Sequence, residues 1–165
     1  MEERSPKEWF AEAARVAQDA TCLRAQCGAV IVQGGVIIGA GSNGPAGGIL
    51  EERRCHVDTY DRSKKPKYDL TCCVHAEWRA ILDAMRSHAD ALPGSTLYYV
   101  RLGTDGVRRY SGAPFCTVCS RLALEVGISS FGLWHESGAV LYDTRDYNAR
   151  SYAFHLKEGV EGAED

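Results

Sequence analysis

The sequence predicts a single α/β domain with a mixed central sheet of about five strands and helices on its faces. Three observations support this. The apolar patterns run in the order helix, strand, strand, helix, strand, helix, strand. No internal repeat and no interdomain linker interrupts the 165 residues, a length that suits one domain with a substantial core. We therefore expect one domain over residues 1–165, with a flexible polar tail at residues 159–165.

The first elements are a helix and a hairpin. A capping box at Ser5 and Glu8 starts an amphipathic pattern that predicts a helix from about residue 6 to residue 20. Two β-branched runs follow at residues 28–32 and 36–40, with a Gln-Gly-Gly turn between them. This pattern is typical of a hairpin, and its nearly continuous apolar character predicts strands covered on both faces.

The later elements are less evenly marked. Residues 41–71 lack periodicity, and we interpret the charged stretch 51–67 as a covering flap. Helices are expected at residues 75–89 and 116–125, and strands at 95–102, 128–134 and 139–142. The short turn at residues 136–138 favours an antiparallel final hairpin, whereas residues 143–156 favour a closing helix; both hold if the helix follows the hairpin.

Composition and charge exclude several classes of function. The net charge of −3 gives no whole-chain basic surface for nucleic acid. The apolar runs are far shorter than the roughly 20 residues that cross a bilayer, and the charged N-terminus does not resemble a signal peptide. Seven cysteines without a secretion signal indicate thiolates and metal in a reducing compartment, so we expect a cytoplasmic protein.

Two short motifs suggest a metal centre. His75 and Glu77 lie two residues apart at one predicted helix start, and Cys116 and Cys119 form a CxxC pair at another. Catalytic zinc has three protein ligands and leaves a fourth position for water. We expect His75, Cys116 and Cys119 to be those ligands, with both helix N-termini helping to keep the thiolates ionised.

Glu77 has a different expected role. It is too close to His75 in sequence to be a comfortable fellow ligand, but it can reach the water in the fourth position. A carboxylate there can take a proton from the water and return it to a leaving group, which is the chemistry of hydrolytic deamination of an amino-heterocycle. A redox CxxC pair, or a zinc site that only holds two helices together, is the less favoured alternative.

These residues also resemble a known family. His75-Ala76-Glu77 together with Pro114-x-Cys116-x-x-Cys119 is similar to the zinc-dependent cytidine/deoxycytidylate deaminase superfamily, closest to the deoxycytidylate deaminases. The resemblance extends from about residue 22 to residue 131 and includes residues 28–32, 41–45 and 124–128.

The resemblance implies a three-layer α-β-α cytidine deaminase-like fold with one catalytic zinc. It implies that His75, Cys116 and Cys119 bind this zinc and that Glu77 carries the proton. It further implies that Asn43 hydrogen-bonds the sugar of the substrate and that the backbone at Ala76 reads the pyrimidine carbonyl. Family members commonly assemble, so a homo-oligomer is expected on the same ground.

The chain departs from the family pattern at three places. Phe115 separates the proline from the first cysteine of the CxxC pair, and Arg79 occupies a position that is commonly asparagine. The loop at residues 43–48 is shorter than in the deoxycytidylate pattern, where a 5′-phosphate is recognised. The candidate phosphate partners in this chain are Arg24, Arg53 and Arg54.

The expected reaction is the conversion of dCMP to dUMP and ammonia, with a small-molecule nucleotide as the partner. An unphosphorylated nucleoside, a free base or another amino-heterocycle is the alternative substrate. Base editing in nucleic acid is less favoured, because the chain is acidic and few basic and aromatic residues alternate. The remaining cysteines are expected to be small buried residues; the alternative is a second, structural zinc on Cys22 or Cys27 with Cys55, His56 or Cys73.

Overall fold

A mixed β-sheet forms the centre of the fold, with helices packed on its faces. The computed structural model describes the backbone of residues 4–55 and 72–161, and their side chains except at 155 and 157–161. The helices are α1 (Pro6–Ala17), α2 (Ala76–Ser87), α3 (Thr117–Glu125) and α4 (Thr144–Glu161). The strands are β1 (Gln26–Gln33), β2 (Val36–Ser42), β3 (Gly44–Pro45), β4 (Cys73–Val74), β5 (Thr96–Leu102), β6 (Arg108–Arg109), β7 (Ser130–His135) and β8 (Gly138–Asp143).

The main sheet has the strand order β2-β1-β5-β7-β8, and β6 pairs with β5. Strands β5 and β7 are parallel, whereas the β1–β2, β1–β5 and β7–β8 pairs are antiparallel. The predicted mixed sheet is therefore confirmed. The final hairpin is antiparallel and α4 follows it directly, so both expectations for the C-terminal region hold together.

The core has two layers, one on each face of the sheet. On one face α1 packs Phe10 against Val30 and Val100. On the other face α2, α3 and α4 cover a cluster that includes Ile31 and Phe131. Because Val30 and Ile31 are neighbours in β1 and point to opposite faces, this strand is covered on both sides, as its apolar run predicts.

The ends of some elements differ from the predictions. Helix α1 begins with the predicted capping box, in which the Ser5 N–H donates to the Glu8 carboxylate at 2.7 Å, but it ends at Ala17 rather than residue 20. Strand β2 lies at the edge of the sheet and its first residue, Val36, is exposed, so this strand is less covered than β1. Edge position, which depends on distant strands, is not encoded in the local pattern.

Helix α2 packs directly on β2 through glycine. A Cβ atom at Gly41 would lie 2.4 Å from the Ala80 nitrogen and 2.6 Å from the Ala76 oxygen, both of them backbone atoms of α2. No side chain larger than hydrogen fits there without moving the helix. The first turn of α2 is thus held against the end of β2.

Two short strands extend this contact. Gly44 in β3 pairs with Val74 in β4, and Pro45 pairs with Cys73. Part of the segment without periodicity at residues 41–71 therefore forms a β-strand, which pairs with β4 next to the start of α2. Residues 56–67 of the predicted flap lie outside the described residues, as do residues 162–165 of the predicted tail, whereas the backbone at residues 159–161 belongs to α4.

No helix in the described part of the chain is long and apolar enough to cross a membrane.

Candidate active site

Three potential metal-binding atoms lie together between α2 and α3. The Sγ atoms of Cys116 and Cys119 are 3.0 Å apart, and the Nδ1 atom of His75 lies 3.5 Å from the first and 3.2 Å from the second. His75 is the N-cap of α2, and Cys116 is the N-cap of α3. The structure therefore brings the three sequence-predicted ligands within 4.8 Å of one another.

The chemistry of this donor set fits zinc. One imidazole nitrogen and two sulfur atoms are the ligands that zinc commonly takes in catalytic sites with an open fourth position. The Cys119 backbone N–H donates to the Cys116 Sγ atom at 3.3 Å, as expected at the positive end of a helix. These three residues would hold the ion. The hydrogen bond from the Cys119 N–H stabilises the thiolate form of Cys116.

Hydrogen bonds and burial shift the pKa values of the three residues. The bonds that Cys116 makes with Cys119 and then with His75 lower the pKa of Cys116 to about 4. The bond with Cys116 raises the pKa of His75 to about 9, against the opposite effect of burial. Burial is the main reason that the pKa of Cys119 lies well above its usual range. Metal binding would release these shared protons, because zinc binds thiolates and neutral imidazole.

Glu77 lies beside this group on the first turn of α2. Its side chain is 6% exposed, and burial raises the pKa of its carboxyl group, with the nearby His75 acting in the opposite direction. The neighbouring Cys119 also lowers the pKa of this carboxyl group, by less than burial raises it. A buried carboxyl group with a raised pKa next to a metal-binding group can serve as a general base and acid.

A cavity of about 350 Å³ contains these residues in its wall. His75, Glu77 and Cys116 line it, and so do the predicted substrate residues Asn43 and Ala76. Cys119 is fully buried behind it. All six residues proposed from the sequence therefore lie at or directly beside one cavity.

Asn43 lines the cavity, and hydrogen bonds to neighbouring backbone atoms fix its side chain. Its Oδ1 atom accepts a hydrogen bond from the Cys27 N–H at 2.8 Å, and its Nδ2 atom donates to the Ala25 oxygen at 3.0 Å. Each of these atoms has a second hydrogen-bonding position, so the amide is fixed in orientation but retains capacity for a ligand. Ala76 is the first residue of α2, where backbone N–H groups have no acceptor within the helix.

Basic side chains line another part of the cavity. Arg24, Arg54 and Arg101 contribute to its wall. Arg24 and Arg54 were predicted as phosphate partners, whereas Arg101 was not. The alternation along β5 places Arg101 on the same face as Tyr99, which also lines the cavity. Arg53, the third candidate, instead donates to the backbone oxygen of Thr21 at 3.0 Å.

The other cysteines also gather near this cavity. All seven cysteines are free thiols, and five of them besides the predicted ligands line the cavity: Cys22, Cys27, Cys55, Cys72 and Cys73. Among the residues that the structure describes, the group of His75, Cys116 and Cys119 is the one set of three donors close enough to share an ion. His56, a candidate for the second zinc, lies outside the described residues.

A protein-family model matches most of the chain. The sequence model of the cytidine and deoxycytidylate deaminase zinc-binding region matches residues 3–133. The chain belongs to this deaminase family. The match includes both motifs of the candidate site, so the resemblance noted from the sequence is confirmed. A comparison with curated protein sequences found no match.

Solved structures share the fold of this deaminase. The dCMP deaminase from the cyanophage S-TIM5 in its apo form has a TM-score of 0.53 and 21% sequence identity, over 79% of this chain and 82% of that chain. The same cyanophage enzyme in complex with dCMP and dUMP has a TM-score of 0.53 and 21% identity, over 79% of this chain and 81% of that chain. The predicted cytidine deaminase-like α/β fold is therefore confirmed.

Proposed function

We propose that this deaminase is a zinc-dependent hydrolase of a free cytosine nucleotide and converts dCMP to dUMP and ammonia. The observation that carries the proposal is the placement of His75, Cys116 and Cys119 within 4.8 Å of one another, with the buried Glu77 beside them at one cavity. A zinc site that only joined two helices would not need a buried carboxyl group at a ligand-sized cavity.

The proposed chemistry assigns separate tasks to the ion and the chain. His75, Cys116 and Cys119 would hold a zinc ion, which would supply Lewis acidity and lower the pKa of bound water. Water adds across the double bond between the ring carbon and the adjacent ring nitrogen, and Glu77 carries one proton of the water to that nitrogen. The second proton of the water passes through Glu77 to the amine, the bond between the ring carbon and the amine breaks, and ammonia leaves. Burial raises the pKa of Glu77, which strengthens this carboxylate as a base towards the water.

Two further residues orient the substrate in this proposal. Asn43 hydrogen-bonds the sugar through the hydrogen-bonding positions that its contacts with Cys27 and Ala25 leave unused. The backbone N–H at Ala76, in the first turn of α2, donates to the pyrimidine carbonyl. Both groups belong to the wall of the cavity that contains Glu77, so base and sugar can be bound while the amine faces the proton carrier.

The three arginines favour a phosphorylated substrate. Arg24, Arg54 and Arg101 line the same cavity as Glu77, and guanidinium groups bind phosphate through paired, charge-assisted hydrogen bonds. Arg24 also donates to the backbone oxygen of Cys55 at 2.7 Å, which anchors its side chain at the cavity. Arg54 also pairs with the Glu52 carboxylate at 3.7 Å, so a bound phosphate would share or replace that carboxylate.

Ammonia release from a panel of substrates tests the proposal. We expect the highest kcat/KM with dCMP among dCMP, dCTP, deoxycytidine, cytosine and guanine. Arg101→Gln should lower kcat/KM for dCMP by about 10- to 100-fold, the value of a hydrogen bond to a charged group, and leave deoxycytidine nearly unchanged. Arg150→Gln is the matched control, because Arg150 pairs with Asp146 on the exposed face of α4. An inert dCMP beside a reactive unphosphorylated compound would exclude the nucleotide and favour the alternative substrate class.

We also propose that the protein is a homo-oligomer in a reducing, cytoplasmic environment. Leu82 and Met85 on α2 are about half exposed, which leaves apolar surface for a second copy, and all seven cysteines are free thiols. Light scattering should give a mass at least twice the 18.1 kDa of one chain. A mass of one chain at micromolar concentration would contradict the assembly.

A further inference from the structure

Arg79 connects the helix that carries His75 and Glu77 to the segment that carries Asn43. It lies one turn after His75, and its backbone N–H donates to the His75 oxygen at 3.1 Å. Its guanidinium group donates to three backbone oxygens: to Ser42 at 3.1 Å, to Gly44 at 3.3 Å and to Pro45 at 2.6 Å. These three carbonyl groups lie immediately before and after Asn43.

The rest of the segment is anchored to β1 and its preceding loop. The Asn43 N–H donates to the Cys27 oxygen and the Thr21 N–H donates to the Asn43 oxygen, both at 3.1 Å. Together with the side-chain bonds of Asn43, these contacts fix the residue relative to β1. They do not connect it to α2. The Arg79 side chain connects the residues around Asn43 to α2, and Arg79 lies two residues after Glu77 in the sequence.

An arginine suits this task better than another cation. The planar guanidinium group has five N–H donors in a fixed arrangement, so one side chain can bind several carbonyl groups that point in different directions. The backbone also approaches it closely, since a Cβ atom at Gly44 would lie 3.1 Å from the Arg79 Nη1 atom and 2.4 Å from the Thr21 Oγ1 atom. A lysine keeps the charge but cannot make the same set of bonds.

We infer that Arg79 is a positioning residue that fixes Asn43 relative to Glu77 and the metal-binding group. The inference rests on the proposed function, since it assumes that the substrate reaches both Asn43 and Glu77. Arg79 itself does not touch the reacting atoms. Together with the packing of Gly41 on α2, it holds the part of the cavity that would orient the substrate at a fixed distance from the part that would carry out proton transfer.

Steady-state kinetics of two Arg79 variants test this role. Arg79→Gln and the milder Arg79→Lys should both raise the KM for dCMP, by about 10- to 100-fold for glutamine, because misplacing a binding group by about 1 Å can cost that much. The zinc content should stay at the wild-type value, because His75, Cys116 and Cys119 are untouched. The Kd of the product dUMP, measured by calorimetry, should rise in parallel with KM.

Asp83→Ala is the matched control. Asp83 lies one turn after Arg79 on α2, and its carboxylate accepts a hydrogen bond from the Ala40 N–H in β2 at 3.0 Å. It therefore makes the same kind of contact between α2 and a neighbouring backbone segment, but not at the residues that flank Asn43. We expect a loss of thermal stability like that of Arg79→Gln, with KM and Kd near the wild-type values.

A double-mutant cycle with Asn43→Ala identifies the route of the effect. If Arg79 acts through Asn43, Arg79→Lys should change KM by less than twofold when Asn43 is already alanine. Full additivity would overturn the inference, as would a wild-type KM in Arg79→Gln or an equal rise in KM in Asp83→Ala. Each of these results would leave the proposed reaction intact. A wild-type protein that is inert towards dCMP would instead overturn the proposed function and this inference with it.

Discussion

Glu77→Gln should retain zinc and lose about 10²- to 10⁴-fold in kcat for ammonia release, the usual contribution of a general acid–base residue. Glutamine has nearly the same shape as glutamate but cannot accept and return a proton. Because the side chain is buried and its carboxyl pKa is raised by burial, the neutral amide should be tolerated without loss of the fold. The measurements are ammonia release under single-turnover and steady-state conditions, and the zinc content of the purified variant.

Glu125→Gln provides the comparison for this variant. Glu125 is the last residue of α3 and is exposed, so the same chemical change there should leave kcat at the wild-type value. Full activity in Glu77→Gln would refute the proton-transfer role. Loss of zinc in that variant would instead make Glu77 a metal ligand. A wild-type protein that binds zinc but releases ammonia from none of the substrates would favour the zinc module that only joins two helices.

Cys116→Ser should abolish stable zinc binding and, with it, activity. The substitution removes one of three donors and replaces a thiolate by a hydroxyl group, which is a poor ligand for zinc beside imidazole and sulfur. The loss of affinity should exceed the roughly 10- to 100-fold that changes around a metal site cost when the ligands remain. Elemental analysis of dialysed protein should give about one zinc per chain in the wild type and much less in the variant.

Cys27→Ser is the appropriate control for that experiment. Cys27 lines the same cavity and accepts a hydrogen bond from the Tyr99 hydroxyl at 3.1 Å, but it is not part of the three-donor group. Its zinc content should equal that of the wild type. Unchanged metal in Cys116→Ser would remove Cys116 as a ligand. Two zinc ions in the wild type and one in Cys55→Ser would support the second, structural zinc instead of a single ion.

The grouping of His75, Cys116 and Cys119 could be expected from the sequence because the motifs that carry them are short and local. Cys116 and Cys119 are three residues apart at the start of α3, a spacing that places both side chains on one face, whereas His75 and Glu77 are two apart at the start of α2 and do not share one. The strands were also predictable, since β1 and β5 have strong apolar patterns. Arg101 follows the same alternation, two residues after Tyr99 in β5, so the pattern of this strand also encodes its face.

Other parts depend on contacts that no local pattern encodes. The bonds of Arg79 reach residues 42–45, between 34 and 37 positions away in the chain. The pairing of β3 with β4 involves only two residues in each strand, too few to show a period. Arg53 and Arg54 are adjacent in sequence, yet only Arg54 lines the cavity, because the turn there sends their side chains in different directions.

The separation of the two motifs along the chain has a consequence for the cost of folding. A zinc ion that joins His75 to Cys116 links residues 41 positions apart. In an unfolded chain, closing a loop of that length costs about 3 kcal/mol of entropy in its length-dependent part alone. The sheet and the helices packed on it already hold these residues together, so the folded protein meets that cost before the ion arrives. Zinc should therefore bind the folded chain far more tightly than a peptide that carries both motifs on a flexible linker, and its removal should lower the melting temperature without erasing the fold.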